Sequence, residues 1–357
     1  MARQQRAPPG DEALLARREP FLAFLTARLN GNRAKVVAVS GKDRGAILLA
    51  GKGGTAYMYM EGSGNFASST YYMQQHPAWV TQFNAKKPAD RFFKTEWKPL
   101  LPEGAYARSI PDSQPWFGPR GGKLPMMMGV AADDAPGPAY YSALLASPFA
   151  DMLSLEFARA AIAGEQLGRD DAPDILSVSL SGHDYVNHRW SAESRLSHDH
   201  MLQLDRMLQE FFRDLDQAVG KDNYIAVLTA DHGFMPAPEY SQSKGLDAGR
   251  VNSRQTLERI NAGLAQRFGE GRWAMNYSSA SLLLDKKLIA QKQVDLDAVA
   301  EEARRLLLAE PGWPDWRTVA YASAAERMLK AIGDPQMVDT RNDPRLSRIF
   351  ANKVIKI

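Results

Sequence analysis

The sequence predicts an α/β fold organised on a mostly parallel sheet, and three features predict it. Two apolar runs, residues 175–180 and 224–230, are rich in β-branched and aliphatic side chains, as strands buried on both faces are. Helical periodicity fills the space before and between them, giving the strand, helix, strand, helix, strand order of a parallel sheet. Each run also stops at an Asp/His pair, Asp184 with His188 and Asp231 with His232. Sheets of this kind place their ligands beyond the carboxyl ends of the strands.

Residues 1–32 form an atypical N-terminal segment. Pro8-Pro9-Gly10 precedes a charged amphipathic helix over 11–29 that Asn30-Gly31 ends. Residues 33–240 read as the core. Its first strand covers 35–39, with a turn at 40–45, and a glycine-broken hairpin follows over 51–65. A strand at 69–73 and a short helix at 77–83 come next. Residues 84–146 are rich in proline, glycine and aromatics and read as a cap inserted over the sheet, with Met126, Met127 and Met128 as core filling.

Ser147 and Pro148 open a helix as N-cap and first helical residue, and Phe149, Leu153, Phe157 and Ala160 mark its buried face. A long helix then carries Met201, Leu204, Leu208, Phe211 and Leu215 at alternating spacings of three and four. Beyond Pro236 the texture changes. A helix through Leu257, Ile260, Leu264 and Phe268, a strand or pair over 273–284, a helix over 296–308 and a strand over 317–321 read as a small α+β subdomain spanning 241–345. Residues 346–357 begin a return to the core that stops short.

Composition narrows the function. A formal charge of +3 over 357 residues, with Lys and Arg interspersed among nearly as many Asp and Glu, gives no nucleic-acid or membrane argument. The chain has no apolar stretch near the ~20 residues a bilayer span needs, and no hydrophobic segment behind its basic first residues. With no cysteine, any metal must be held by imidazole and carboxylate.

The Asp/His pairs suit that task. Asp184 and His188 are four apart, so one helical turn sets them on the same face. Carboxylate oxygen and imidazole nitrogen are good ligands for Zn²⁺, and two ions together can clamp a phosphoryl group. The turn after the first strand brings Lys42 and Arg44 to the same sheet edge, where guanidinium and ammonium would hold phosphate oxygens. Taken singly, each motif also fits a solvated turn or a helical ion pair; the combination carries the reading. His198 and His200 read as surface residues, His76 as structural, and His183 stays open.

Residues 179–189 (SLSGHDYVNHR), 228–233 (LTADHG) and 40–47 (SGKDRGAI) together resemble the alkaline phosphatase superfamily, in its phosphate-irrepressible branch with Lys and Arg in the site. Residues 69–72, 157–161, 164–168 and 204–206 join the resemblance, which runs in order from about 31 to 352. It implies a doubly wound α/β sandwich with a cap and a two-zinc phosphate monoesterase acting on small phosphate esters. Asp184 and His188 would bind one zinc, Asp231 and His232 the other, and Lys42 and Arg44 the phosphate.

The departures matter as much. The family pattern has an early Asp ligand, a Thr or Ser nucleophile at a helix start, and a late His ligand. Residues 1–32 offer only Asp11 and Thr26, neither in a strand context, and no histidine follows His232. Asn187 stands where glycine is usual, and Lys52 where histidine is. The expectation is therefore a phosphatase by descent with impaired or no turnover. The alternatives are a non-catalytic metal- or phosphate-binding remnant, and a phosphodiesterase or sulfatase relative. Relatives of this type are exported. This chain shows no signal, so a cytoplasmic location is expected if it is expressed as is.

Overall fold

The computed structural model describes residues 33–310, apart from 119–120, 131 and 279–280. The helix at 11–29, the strand at 317–321 and the return at 346–357 lie outside the described residues. The chain divides into two compact units between Ala237 and Pro238.

The first unit is built on a four-stranded sheet in the order β3-β2-β1-β6. Strand β1 (Val36–Ser40) pairs in parallel with β2 (Thr55–Met60) on one side and β6 (Ile175–Ser179) on the other. Strand β3 (Asn65–Ala67) returns antiparallel to β2, which is the hairpin of residues 51–65. Val-Val-Ala-Val suits a strand covered on both faces, and every residue of β1 is buried. Val37, Val39, Tyr57 and Tyr59 face one layer, while Ala38, Ala56 and Met58 face the other.

Helix α1 (Asp43–Ala50) covers the alanine face, and its own Ala46 and Ala50 permit close approach. Gly45 is demanded there, because a Cβ would lie 2.5 Å from Ser40 Oγ and 2.9 Å from Ser179 Oγ. The turn expected at 40–45 is thus shorter, since the helix already begins at Asp43.

The opposite face packs α2 (Ala78–Ala85), α3 (Pro138–Leu144) and α4 (Pro148–Gly164). Phe157 of α4 is fully buried and sits among the rings of Phe66 at 4.3 Å, Phe83 at 5.0 Å, Trp79 at 5.1 Å and Tyr57 at 5.3 Å. Helices α5 (Gly182–Trp190) and α6 (Arg195–Ala218) follow β6.

The stretch 84–146 carries a small ladder, β4 (Glu96–Trp97) with β5 (Met126–Met127). The buried carboxylate of Asp199 on α6 ties it down, accepting from Trp97 Nε1 at 2.5 Å, Leu100 N at 2.6 Å and Tyr106 OH at 2.6 Å. Trp97, Leu124 and Met128 join the main core, whereas Met127 is exposed.

Two expected strands are absent. Residues 69–73 form a turn, closed by Tyr72 N and Met73 N donating to Ser69 O. Residues 224–230 form no ladder, and Ile225, Val227 and Leu228 are 93, 83 and 84% exposed. An apolar β-branched run becomes a buried strand only where a neighbouring edge pairs with it. Here β6 is the last strand of the sheet among the described residues and is half-buried along its length.

The second unit places α7 (Pro238–Ser243), α8 (Ser253–Phe268), the antiparallel pair β7 (Ala274–Ser278) and β8 (Ser281–Leu284), α9 (Lys286–Gln291) and α10 (Leu296–Leu308) in order. Its core comprises Ile260 and Leu264 of α8, Trp273, and Val299, Ala303 and Leu307 of α10.

Candidate active site

The sheet register assembles the site. Ser40 of β1 stands opposite Ser179 of β6, so both strands release the chain at the same edge. Two residues past Ser40, Lys42 occupies the N-cap position of α1 and makes no side-chain cap bond. After β6 the chain enters α5 directly, which puts Asp184 in its first turn and His188 one turn later. Lys42 Nζ forms an ion pair with Asp184 Oδ2 and lies 4.7 Å from the centroid of the Tyr185 ring. Beneath them Ser40 Oγ accepts from Lys42 N at 2.9 Å and lies 3.3 Å from Ser181 Oγ.

The other oxygen of Asp184 carries the chemical information. Oδ1 is buried and has no hydrogen-bond partner, yet His188 Nε2 lies 3.4 Å away and His232 Nε2 lies 3.3 Å away. His232 Nδ1 is 2.8 Å from Gly233 O, a carbonyl that can only accept. The proton therefore sits on Nδ1 in the neutral ring, and the Nε2 lone pair faces a carboxylate oxygen. Two acceptors hold such an approach only with a proton or a cation to share. The Phe234 ring packs beside both imidazoles, 4.9 Å from His188 and 5.3 Å from His232.

The remaining expected site residues stand apart. Asp231 is 91% exposed, and its Oδ2 lies 3.7 Å from His232 Nε2, so that nitrogen is nearer to the Asp184 carboxylate than to the one beside it in sequence. Arg44 is exposed and turned to Asp43 at 3.8 Å rather than to Asp184. Among the described residues, no group of three or more His, Asp and Glu side chains is arranged to hold a metal ion as it stands. The donor types at Asp184, His188 and His232 fit Zn²⁺, but Lys42 occupies one carboxylate oxygen.

Sequence reasoning missed the support behind this cluster. His200 is completely buried rather than a surface residue, with Nε2 2.8 Å from Asp151 Oδ2. The signal was present: position 200 shares the helical stripe of Leu204, Met207 and Phe211, the buried side of α6. His198 is partly buried, with Nδ1 3.1 Å from Ser109 Oγ. His183 points inward to Ser197 Oγ at 3.0 Å, and burial, then the nearby His200, pulls it down to about 4. It is neutral at pH 7. His76 accepts from Ser68 N at 3.1 Å, a structural contact as expected.

Carboxylate, imidazole and ammonium groups are gathered at the strand ends of a sheet with a parallel core, the place where α/β proteins of this architecture bind their ligands. The model of the type I phosphodiesterase / nucleotide pyrophosphatase family matches residues 33–326, and the chain belongs to that family. It is 36% identical over 282 residues to alkaline phosphatase PafA of Elizabethkingia meningoseptica, covering 78% of this chain and 51% of that protein. To alkaline phosphatase PhoV of Synechococcus elongatus it is 40% identical over 224 residues, covering 61% and 40%. The crystal structure of wild-type PafA superposes with a TM-score of 0.71 at 32% identity, over 81% of this chain and 55% of that one. The fold is accordingly alkaline phosphatase-like, and the chain spans about half the length of the curated relatives it matches.

The similarity stops before the residue 352 suggested by the motifs. Residues 316–357 match the PrkA AAA domain model, and 36 residues of the chain are 69% identical to the serine/threonine kinase YeaG of Escherichia coli, 6% of that protein's length. No helix among the described residues is long and apolar enough to cross a membrane.

Proposed function

We propose that the cluster is the divalent-cation and phosphate site of an alkaline phosphatase-type hydrolase of small phosphate monoesters, and that this chain alone turns over weakly or not at all. One observation carries the reading: the buried, unpartnered Asp184 Oδ1 facing the Nε2 atoms of His188 and His232. Of the two zinc positions the family resemblance implies, this donor set supports one, held by Asp184, His188 and His232. Asp231 remains the carboxylate available to a second. A bound Zn²⁺ supplies Lewis-acid stabilisation of phosphoryl oxygens.

Lys42 has two roles in this reading. Without a cation it neutralises Asp184; with one, its ammonium is released toward a phosphate oxygen, and Arg44 adds a guanidinium from the same turn. Two positive charges favour a dianionic monoester over a diester or a sulfate ester. Two hydroxyls of the described residues at this edge support weak turnover. Ser40 and Ser181 are buried and paired with each other, so neither stands free as a nucleophile.

The deciding experiment is zinc stoichiometry on the metal-stripped chain, with turnover of p-nitrophenyl phosphate measured in parallel. We expect about one tightly bound ion per chain, lost in Asp184→Ala and His232→Ala and largely kept in Asp231→Ala. Retention of no zinc by the parent chain overturns the reading. Turnover abolished by Asp231→Ala would show a complete centre and overturn the weak-activity part alone.

A further inference from the structure

Behind the candidate site lies a buried pair with no part in the chemistry above. Asp151 of α4 and His200 of α6 are both fully buried, with His200 Nε2 donating to Asp151 Oδ2 at 2.8 Å. The other carboxylate oxygen, Oδ1, accepts from Gly182 N at 2.8 Å. Gly182 is the first residue of α5, whose own N-cap Ser181 makes no side-chain cap bond. A carboxylate from another helix therefore does the capping, satisfying one of the free amides at the positive end of the helix.

The fit leaves no slack. A Cβ on Gly182 would lie 2.8 Å from Ser147 O, 2.9 Å from Asp151 Oδ2 and 2.9 Å from His200 Cε1. A second tie holds the same turn to α6, where His183 Nε2 lies 3.0 Å from Ser197 Oγ, and within α5 Asn187 Nδ2 lies 3.4 Å from His183 Nδ1. Residues 183 and 187 form the inner face of α5. Residues 184 and 188, one step round the helix, form the face that meets Lys42 and His232.

We infer that Asp151, held by His200, is a positioning residue that sets the start of α5 and thereby the places of Asp184 and His188. The consequence for cation binding rests on the function proposed above; the consequence for α5 does not. Placing a carboxylate under a backbone amide fixes the helix start in position and rotation, and a ligand set tolerates little error in either.

The test uses the full chain with Asp151→Leu, which removes both hydrogen bonds, and Gly182→Ala, which keeps both side chains of the pair but crowds them and Ser147 O and so displaces the helix start. Asp151→Asn, which keeps an acceptor for Gly182 N, serves as the conservative control. Amide exchange at residues 182–186, the ring shifts of His188 and a Zn²⁺ titration are read on each. We expect exchange at the start of α5 to rise at least about tenfold in the first two variants while the β1 amides stay protected. Zinc affinity should fall about tenfold in both and stay near parent in Asp151→Asn.

Unchanged α5 exchange and unchanged His188 shifts overturn the inference whatever zinc does. A loosened α5 with unchanged zinc affinity overturns the positioning role. If the parent binds no zinc, the site reading fails, and the inference is judged on exchange and ring shifts alone.

Discussion

Replacing Ile225 and Val227 together with serine tests the largest departure of the structure from the sequence pattern. Fully burying an aliphatic side chain of this size is worth ~1.5–3 kcal/mol, so two such residues in a doubly covered strand would cost about 3–6 kcal/mol to replace. In the structure they are 93 and 83% exposed. Scaling the same energy by the small buried remainder leaves about 0.4–0.7 kcal/mol for the pair. The assay is amide exchange of Val37 and Val39 in β1, whose slowest opening reports the stability of the whole first unit. We expect those protection factors to change by less than about threefold, with soluble yield equal or better because an exposed apolar run has been removed. A loss of more than about 2 kcal/mol would refute the reasoning and return residues 224–230 to the buried sheet.

Two further predictions follow from the ion pairs. Lys42→Met frees Asp184 Oδ2 for a cation, so Zn²⁺ binding by calorimetry should tighten about tenfold while inorganic phosphate binds more weakly. Weaker zinc binding would show that Lys42 supports the ligand set instead of competing with it. In the second unit, hydrogen bonds from Arg305, and after them from Arg267, hold Glu302 down to about 2. A depressed carboxylate contributes stability that is fully present above its unfolded value near 4.5 and is lost as pH falls toward 2. Exchange of the α10 amides should therefore accelerate across that window, and Glu302→Gln should flatten the dependence.

What the sequence disclosed follows from how locally each feature is determined. Strand β1, helix α10 and the i,i+4 placement of Asp184 and His188 were legible because periodicity within a few residues fixes them. Lys42 and Asp184 could be brought to one edge from sequence because parallel strands release their ligands at the same end. Residues 224–230 misled, since β-branched composition reports what a strand would bury and does not itself make the segment pair: β6 ends the sheet among the described residues, yet 224–230 forms no ladder on it. His200 was misread because Asp199 and His198 beside it look solvated. Helical phase, which aligns it with Leu204, outweighs that local polarity. No local pattern marks Asp151 as a cap for Gly182, because the two are separated by 31 residues and meet only through the packing of α4 on α5.

That separation explains how the site divides. Asp184 and His188 ride on a helix whose first amide is tied to one neighbouring helix and whose inner face is tied to another. His232 and Asp231 ride on a segment with no ladder. It is tethered at one end by the Tyr224 hydroxyl to Asp216 at 2.7 Å and the Tyr224 ring stacked on Phe212, and at the other by His232 against Asp184 with Phe234 on the imidazoles. A cation bridging Asp184, His188 and His232 would thus join a preorganised half to a half it must itself fix. The ordering of residues 224–234 is subtracted from whatever the three ligands contribute, and affinity falls by that amount. The same coupling runs in reverse: pairing 224–230 with any strand edge would pre-order His232 and raise cation affinity without touching a ligand.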